Sequence, residues 1–129
     1  MPELEDPIEI YRRSLADLPK PGEAHPPVIQ RAEVWPYPEL TRLWARVEIS
    51  PFAAFPNLAL RVLGPDEAVV ATMFMVEIRD AYQSVTLHLR QPPRPSEQYA
   101  LEIELTRDEI ELDTHRLDFD LVFRDPQGF

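Results

Sequence analysis

Apolar and polar residues alternate along most of the chain after Val28, and a period of two is typical of β-strands with one wet face. Prolines fall only between the alternating stretches, as expected for turns and sheet edges. The clearest alternating stretches are Leu43–Ile49, Leu58–Val62, Val85–Leu89, Tyr99–Leu105 and Leu117–Phe123. The pattern predicts an all-β protein, an antiparallel two-sheet Greek-key sandwich of about seven strands.

One predicted strand departs from this alternation. Gly64–Glu67 reads as a short turn that joins Leu58–Leu63 to a strand over Ala68–Arg79, and Val69–Val76 within that strand is apolar on both faces. A strand buried on both faces needs a cover on the second one. An N-terminal helix is the simplest cover, a symmetric dimer contact is the alternative, and aggregation follows if neither forms.

The first 27 residues have a different character, with proline frequent and a helical period. Asp6-Pro7-Ile8-Glu9 carries the residues that begin a helix, and Pro19–Gly22 would end it after about three turns. We therefore expect an amphipathic helix and a proline-rich linker over residues 1–27, a sandwich domain over 28–125 and a short tail over 126–129. The helix is expected to dock on its own domain or, alternatively, on a partner. Its apolar stripe comprises Ile8, Tyr11, Leu15 and Leu18.

A proline-rich corner precedes one predicted strand. Val85–Leu89, the corner Gln91–Gln98 and then Tyr99-Ala-Leu-Glu-Ile resemble the E–F corner of immunoglobulin-like and fibronectin type III domains. The resemblance covers about residues 28–125 at the level of the fold, and it implies a tyrosine-corner role for Tyr99. Trp44 lies in an early strand but at the wrong place to match the strand C tryptophan of those domains, and the cysteine pair of antibody domains is missing.

Charge and composition exclude several classes of protein. Thirteen basic residues stand against 23 acidic ones, a net charge of −10, so nucleic acid and anionic membranes are poor partners. With no cysteine, the chain has no disulfides and no thiolate metal sites. No apolar stretch approaches the roughly 20 residues of a membrane-spanning helix, and the chain starts with acidic residues, so we expect a cytoplasmic location.

Known catalytic patterns are missing. Only three glycines are present, so neither a dinucleotide fingerprint nor a phosphate-binding loop can form. The serines have no glycine neighbours of the kind that support a nucleophile elbow. His88 is predicted on a polar strand face and His115 in a turn around Thr114–Arg116, both solvated. We expect no catalytic residue, no cofactor and no metal.

Carboxylates are the only abundant reactive groups. A calcium or hydrolytic site would need at least two of them to meet in one pocket. The favoured interpretation is a charged outer sheet face that resists edge pairing. Whether residues 110–123 form one strand or a hairpin stays open. The acids concerned are Asp108, Glu111, Asp113, Asp118 and Asp120.

Two aromatic segments are the candidates for binding. Trp35-Pro36-Tyr37-Pro38 is restrained by its prolines, and the uncharged loop Ser50–Pro56 holds Phe52 and Phe55. The leading hypothesis is a non-catalytic module that binds another protein or itself, the second case giving a homodimer, with Trp35, Tyr37, Phe52 and Phe55 as anchors. The alternative is a small-molecule or carbohydrate-binding sandwich that uses Trp35, Tyr37 and Trp44. A concave site where rings and acids converge favours a ligand, and a flat apolar patch favours a protein.

Overall fold

The computed structural model describes residues 26–126 of the chain. Within this range it contains seven strands and no helix, which confirms the prediction of an all-β protein. The predicted N-terminal helix lies outside the described residues. The strands are β1 (Ile29–Pro36), β2 (Arg42–Ile49), β3 (Asn57–Leu63), β4 (Val69–Met75), β5 (Tyr82–His88), β6 (Gln98–Arg107) and β7 (Ile110–Asp120).

The strands form two antiparallel sheets. The three-stranded sheet has the order β1-β2-β5, and the four-stranded sheet has the order β4-β3-β6-β7. The chain crosses between the sheets after β2, β4 and β5. The core lies between the sheets because the alternating residues of both turn their apolar side chains inward. Its fully buried members include Leu43, Val62, Leu87, Leu101 and Leu105.

Polar contacts join the two sheets along the side where β1 and β7 meet. A carboxylate oxygen of Asp113 on β7 accepts the backbone N–H of Ile29 on β1 at 2.7 Å. After β7, the backbone N–H of Arg124 donates to the carbonyl oxygen of Pro36 at 3.3 Å. The segment that follows β7 therefore runs beside the end of β1 and covers part of its edge.

The last hairpin has its turn at Asp108 and Glu109, both with positive φ (52° and 66°). From there β7 runs unbroken from Ile110 to Asp120, so the acidic stretch is one strand. The expected turn around His115 is wrong: His115 pairs with Ile103 inside the β6–β7 ladder. Continuous pairing with β6 satisfies this backbone and makes a turn there unnecessary.

Two predicted strand ends also differ from the structure. β4 stops at Met75, because Glu77 has a positive φ (49°) and the Ile78 N–H donates to Pro56 instead of continuing the ladder. At the end of β7, Leu121 is buried but Phe123, predicted to face inward, is 53% exposed. The chain leaves the strand geometry after Asp120, so the period of two no longer determines which side chain faces the core.

The proline-rich corner before β6 is tied to a buried tyrosine. Tyr99 is 3% exposed, and its hydroxyl oxygen accepts the backbone N–H of Arg94 at 3.0 Å. Ser96, in the same corner, has a positive φ (68°). This hydrogen bond ties the corner, where the chain passes from one sheet to the other, to the Tyr99 side chain, whose ring lies in the core.

Candidate functional site

Two tryptophans meet on the outer face of the three-stranded sheet. Trp35 of β1 and Trp44 of β2 are cross-strand partners, and their ring centroids lie 5.0 Å apart. The Trp44 indole N–H donates to the hydroxyl of Ser84 on β5 at 2.7 Å. Beside them is a groove of about 190 Å³ lined by Trp35, Pro36, Tyr37, Pro38, Trp44, Phe123, Arg124 and Pro126. The structure thus brings together the three rings of the carbohydrate alternative.

Guanidinium groups lie over the faces of these rings. Arg42 lies 4.2 Å from the Tyr37 centroid, Arg46 lies 5.3 Å from that of Trp44, and Arg124 lies 5.6 Å from that of Trp35. Trp35 itself is only 3% exposed. Because a sugar or a partner ring needs an accessible aromatic face, this cluster leaves little room for stacking.

Two of these arginines are also held by carboxylates. Arg42 donates to Glu39, and this hydrogen bond lowers the pKa of the Glu39 carboxyl below its usual range. Arg124 donates to Glu33 at 3.3 Å and to the Val34 carbonyl oxygen at 3.1 Å. The carboxylates near the rings, Glu39 and Glu33, therefore already accept hydrogen bonds from arginine side chains of the same fold.

The uncharged loop before β3 folds over one end of the sandwich. Phe52 is half-buried against the core, and its ring meets that of Phe55 edge to face at 6.3 Å. Arg107 donates to the Phe55 carbonyl oxygen at 2.7 Å, and the Arg79 guanidinium lies 4.4 Å from the Phe55 centroid. Phe52 thus contributes to the core, while Phe55 keeps 36% of its surface exposed.

Two strongly exposed apolar residues lie at the end of β4 and directly after it, and the anchor residues predicted above do not include them. Phe74 is 61% exposed and Val76 is 65% exposed. The sequence signal for it was the strand that is apolar on both faces. Arg90 covers the first half of the β4 edge, since its N–H donates to Val70 and its guanidinium to Thr72. The part of the chain left open is therefore Met73–Met75 at the end of β4, together with Val76 after it.

Next to Phe74 the outer face of the four-stranded sheet is hollow. One row of cross-strand partners runs Phe74–Ala59–Glu104–Thr114 across all four strands. The small side chain of Ala59 stands in the middle of this row. The hollow has a volume of about 420 Å³ and is lined by Ala59, Leu60, Arg61, Glu102, Ile103, Glu104, Glu111, Thr114, His115 and Arg116.

A ladder of ion pairs crosses the sheet beside the hollow. Glu102 pairs with Arg61 at 2.6 Å and with Arg116 at 3.4 Å. Arg116 also pairs with Glu67 and Asp118, and hydrogen bonds to these two, with that to Glu67 the larger cause, raise the pKa of its guanidinium. Within residues 26–126, Glu104 and Glu111 form no ion pair, so the uncompensated charge of the hollow is negative.

The predicted acids do not gather into a metal site. Among residues 26–126 no group of three histidine or carboxylate side chains could hold a metal ion. Of the acids singled out above, only Glu111 lines the hollow, and Asp113 bonds to the β1 backbone. His88 and His115 are exposed and lie on different sheets.

No protein-family model matches the sequence. A search of curated proteins also finds no match. No helix in the described range is long and apolar enough to span a membrane.

Solved structures do share the fold. One is a glycosyl hydrolase family 2 member from Bacteroides cellulosilyticus, with a TM-score of 0.60 and 12% identity over 74% of this chain. Another is a β-glucuronidase from Ruminococcus gnavus in complex with C6-substituted uronic isofagomine, with a TM-score of 0.55 and 17% identity over 74% of this chain. The matched parts make up only 15% and 16% of those chains. At this identity the likeness establishes a shared β-sandwich fold.

Proposed function

We propose that this chain is a non-catalytic β-sandwich module that makes protein–protein contacts through the open end of β4, with a second copy of itself as the partner. The immunoglobulin-like, Greek-key description belongs to the same proposal. It is supported by the strand order, by the corner at Tyr99 and by a fold that recurs as a small part of larger glycosyl hydrolase chains.

The observation that carries the proposal is the exposure of Phe74, near the end of the uncharged strand β4, and of Val76 directly after that strand. Burying each side chain in a contact is worth about 1.5–3 kcal/mol. Natural sheets usually protect such a strand with charge or with a cover, and here Arg90 protects only the first half of β4. Adjacent exposed apolar side chains of this kind are typical of interaction surfaces.

The test is sedimentation velocity of the full chain over a wide concentration range. We expect a concentration-dependent dimer whose dissociation constant rises by about tenfold or more in Val76→Glu, because the carboxylate would be buried. Val122→Glu is the matched control, since Val122 is also an exposed valine but lies in the segment after β7. A chain that stays monomeric contradicts self-association, and an equal effect of the control contradicts the proposed surface.

Binding to a different protein is distinguished by photo-crosslinking. A benzophenone amino acid at position 74 is compared with the same group at position 123, where Phe123 is also strongly exposed. A product of twice the chain mass from position 74 alone supports the second copy. A product of another mass from position 74 alone supports a protein module with a different partner, and equal labelling from both positions contradicts the proposed surface.

The second candidate is a small-molecule or carbohydrate site at the ring cluster. It is favoured by the convergence of Trp35, Tyr37 and Trp44 around one groove. Two observations disfavour it. Guanidinium groups lie over the ring faces, and the groove of about 190 Å³ is smaller than the roughly 300–1,000 Å³ of small-molecule sites. Quenching of tryptophan fluorescence by neutral oligosaccharides, lost in Trp44→Phe, would support this candidate over the association module.

A further inference from the structure

The hollow on the four-stranded sheet has an apolar floor and lies next to an exposed aromatic side chain. Ala59 forms part of the floor, and Phe74 is its direct cross-strand neighbour on the same face. Phe74 is 61% exposed, and no described arginine lies over its ring. Unlike the ring cluster around Trp35, this surface offers a free aromatic face beside an open space.

The rim of the hollow carries both donors and acceptors of hydrogen bonds. Glu104 and Glu111 present carboxylate oxygens, Thr114 presents a hydroxyl, and Arg61 presents guanidinium N–H groups. Hydroxyl groups on a ligand can satisfy both kinds of partner. A volume of about 420 Å³ lies within the usual range for small-molecule sites, roughly 300–1,000 Å³.

The charges of the hollow restrict the ligand further. Arg61 and Arg116 are already paired with Glu102, while Glu104 and Glu111 are left without a cation in the described part of the chain. A carboxylated or phosphorylated ligand would meet uncompensated negative charge. A neutral ligand avoids this repulsion and still uses the carboxylates as acceptors.

We infer that the hollow beside Phe74 binds a neutral polyhydroxylated ring, such as a sugar residue of an oligosaccharide. The apolar face of the ring lies on Phe74 and Ala59, and its hydroxyls bond to Glu104, Thr114 and Arg61. A ligand on Phe74 would compete with a second copy of the chain for the same ring, so the inference does not rest on association through Val76. It places the ligand on the opposite sheet from the tryptophans.

Binding is tested by titrating the full chain with neutral tetrasaccharides of glucose, mannose, galactose and xylose in α and β linkage. Chemical shifts of backbone amides report the site, and tetragalacturonic acid serves as the charged counterpart. We expect at least one neutral sugar to shift amides of β3, β6 and β7 at millimolar concentration, and the acidic sugar to leave them unchanged.

Variants separate the hollow from the other surfaces. Ala59→Leu, which fills the floor, and Glu104→Gln, which changes one acceptor, should each weaken binding about tenfold, equivalent to about 1.4 kcal/mol. Trp44→Phe should bind as the parent does, and Val76→Glu, which weakens the competing contact between copies, should bind at least as tightly. The inference is overturned if no neutral sugar shifts these amides, if the acidic sugar binds equally well, or if Trp44→Phe weakens binding while Ala59→Leu does not.

Discussion

The hydroxyl oxygen of Tyr99 accepts the backbone N–H of Arg94, five residues earlier in the chain, at 3.0 Å. The tyrosine is 3% exposed, so a phenylalanine in its place would leave this N–H without its partner at a half-buried site. We expect Tyr99→Phe to lower the free energy of unfolding by about 1–3 kcal/mol. Chemical denaturation measures the change.

Tyr37→Phe is the matched control for that experiment. Among residues 26–126 the Tyr37 hydroxyl makes no hydrogen bond, and its ring contacts the Arg42 guanidinium through its face. Its loss should change stability by no more than about 0.5 kcal/mol. Equal effects of the two substitutions would show that the corner hydrogen bond contributes nothing specific.

The carboxylate of Asp113 connects the two sheets by accepting the Ile29 N–H at 2.7 Å. Asp113→Ala removes the acceptor and should destabilise the protein by about 1–3 kcal/mol. Asp113→Asn keeps an oxygen at the same place and should recover part of the loss. Asp120→Ala, on the same strand but with no side-chain partner among the described residues, should be close to neutral, and thermal unfolding compares the three variants.

The β6–β7 turn places Glu109 at a φ of 66°, in the left-handed region. This conformation costs a residue with a Cβ atom roughly 1–2 kcal/mol, and glycine adopts it freely. We expect Glu109→Gly to stabilise the fold by about 1 kcal/mol, which raises the melting temperature by several degrees. Glu111→Gly, two residues later in the extended strand, should lower it, and a gain in both variants would contradict this account.

Arg124 fastens the segment after β7 to β1. Its guanidinium lies 5.6 Å from the Trp35 centroid and donates to the Val34 carbonyl oxygen at 3.1 Å. Arg124→Ala should therefore loosen this segment and expose Trp35. Tryptophan emission should shift to longer wavelength and acrylamide quenching should increase, while Arg94→Ala, at the corner before β6, should leave both unchanged.

Much of the fold could be predicted because each strand carries its own pattern. The period of two in Leu43–Ile49 and Tyr99–Leu105 predicted which residues face the core, and Leu43, Leu101 and Leu105 are fully buried. The prediction was wrong around His115, where a polar run looked like a turn but pairs with β6. The composition of a short stretch does not show which other strand will pair with it.

The binding surfaces were harder to predict. Trp35 was expected to be available, yet Trp44 from the next strand and Arg124 from the other end of the chain lie against its ring. Phe74 and Glu104 were not singled out, because nothing in the local sequence shows that Ala59 lies between them. Which side chains become neighbours depends on strand register.

The sequence by itself determined that this chain is a β-sandwich with a mixed, acidic surface and no recognisable catalytic motif. These conclusions come from the spacing of apolar residues, the prolines and the scarcity of glycine. Such features belong to short stretches of sequence, so they can be recognised without knowing which strands pair. Only the tertiary structure decided that the Phe74 side chain is exposed next to the hollow and that Trp35 is buried. Exposure and concavity arise from residues far apart in the chain, brought together by strand pairing and sheet packing.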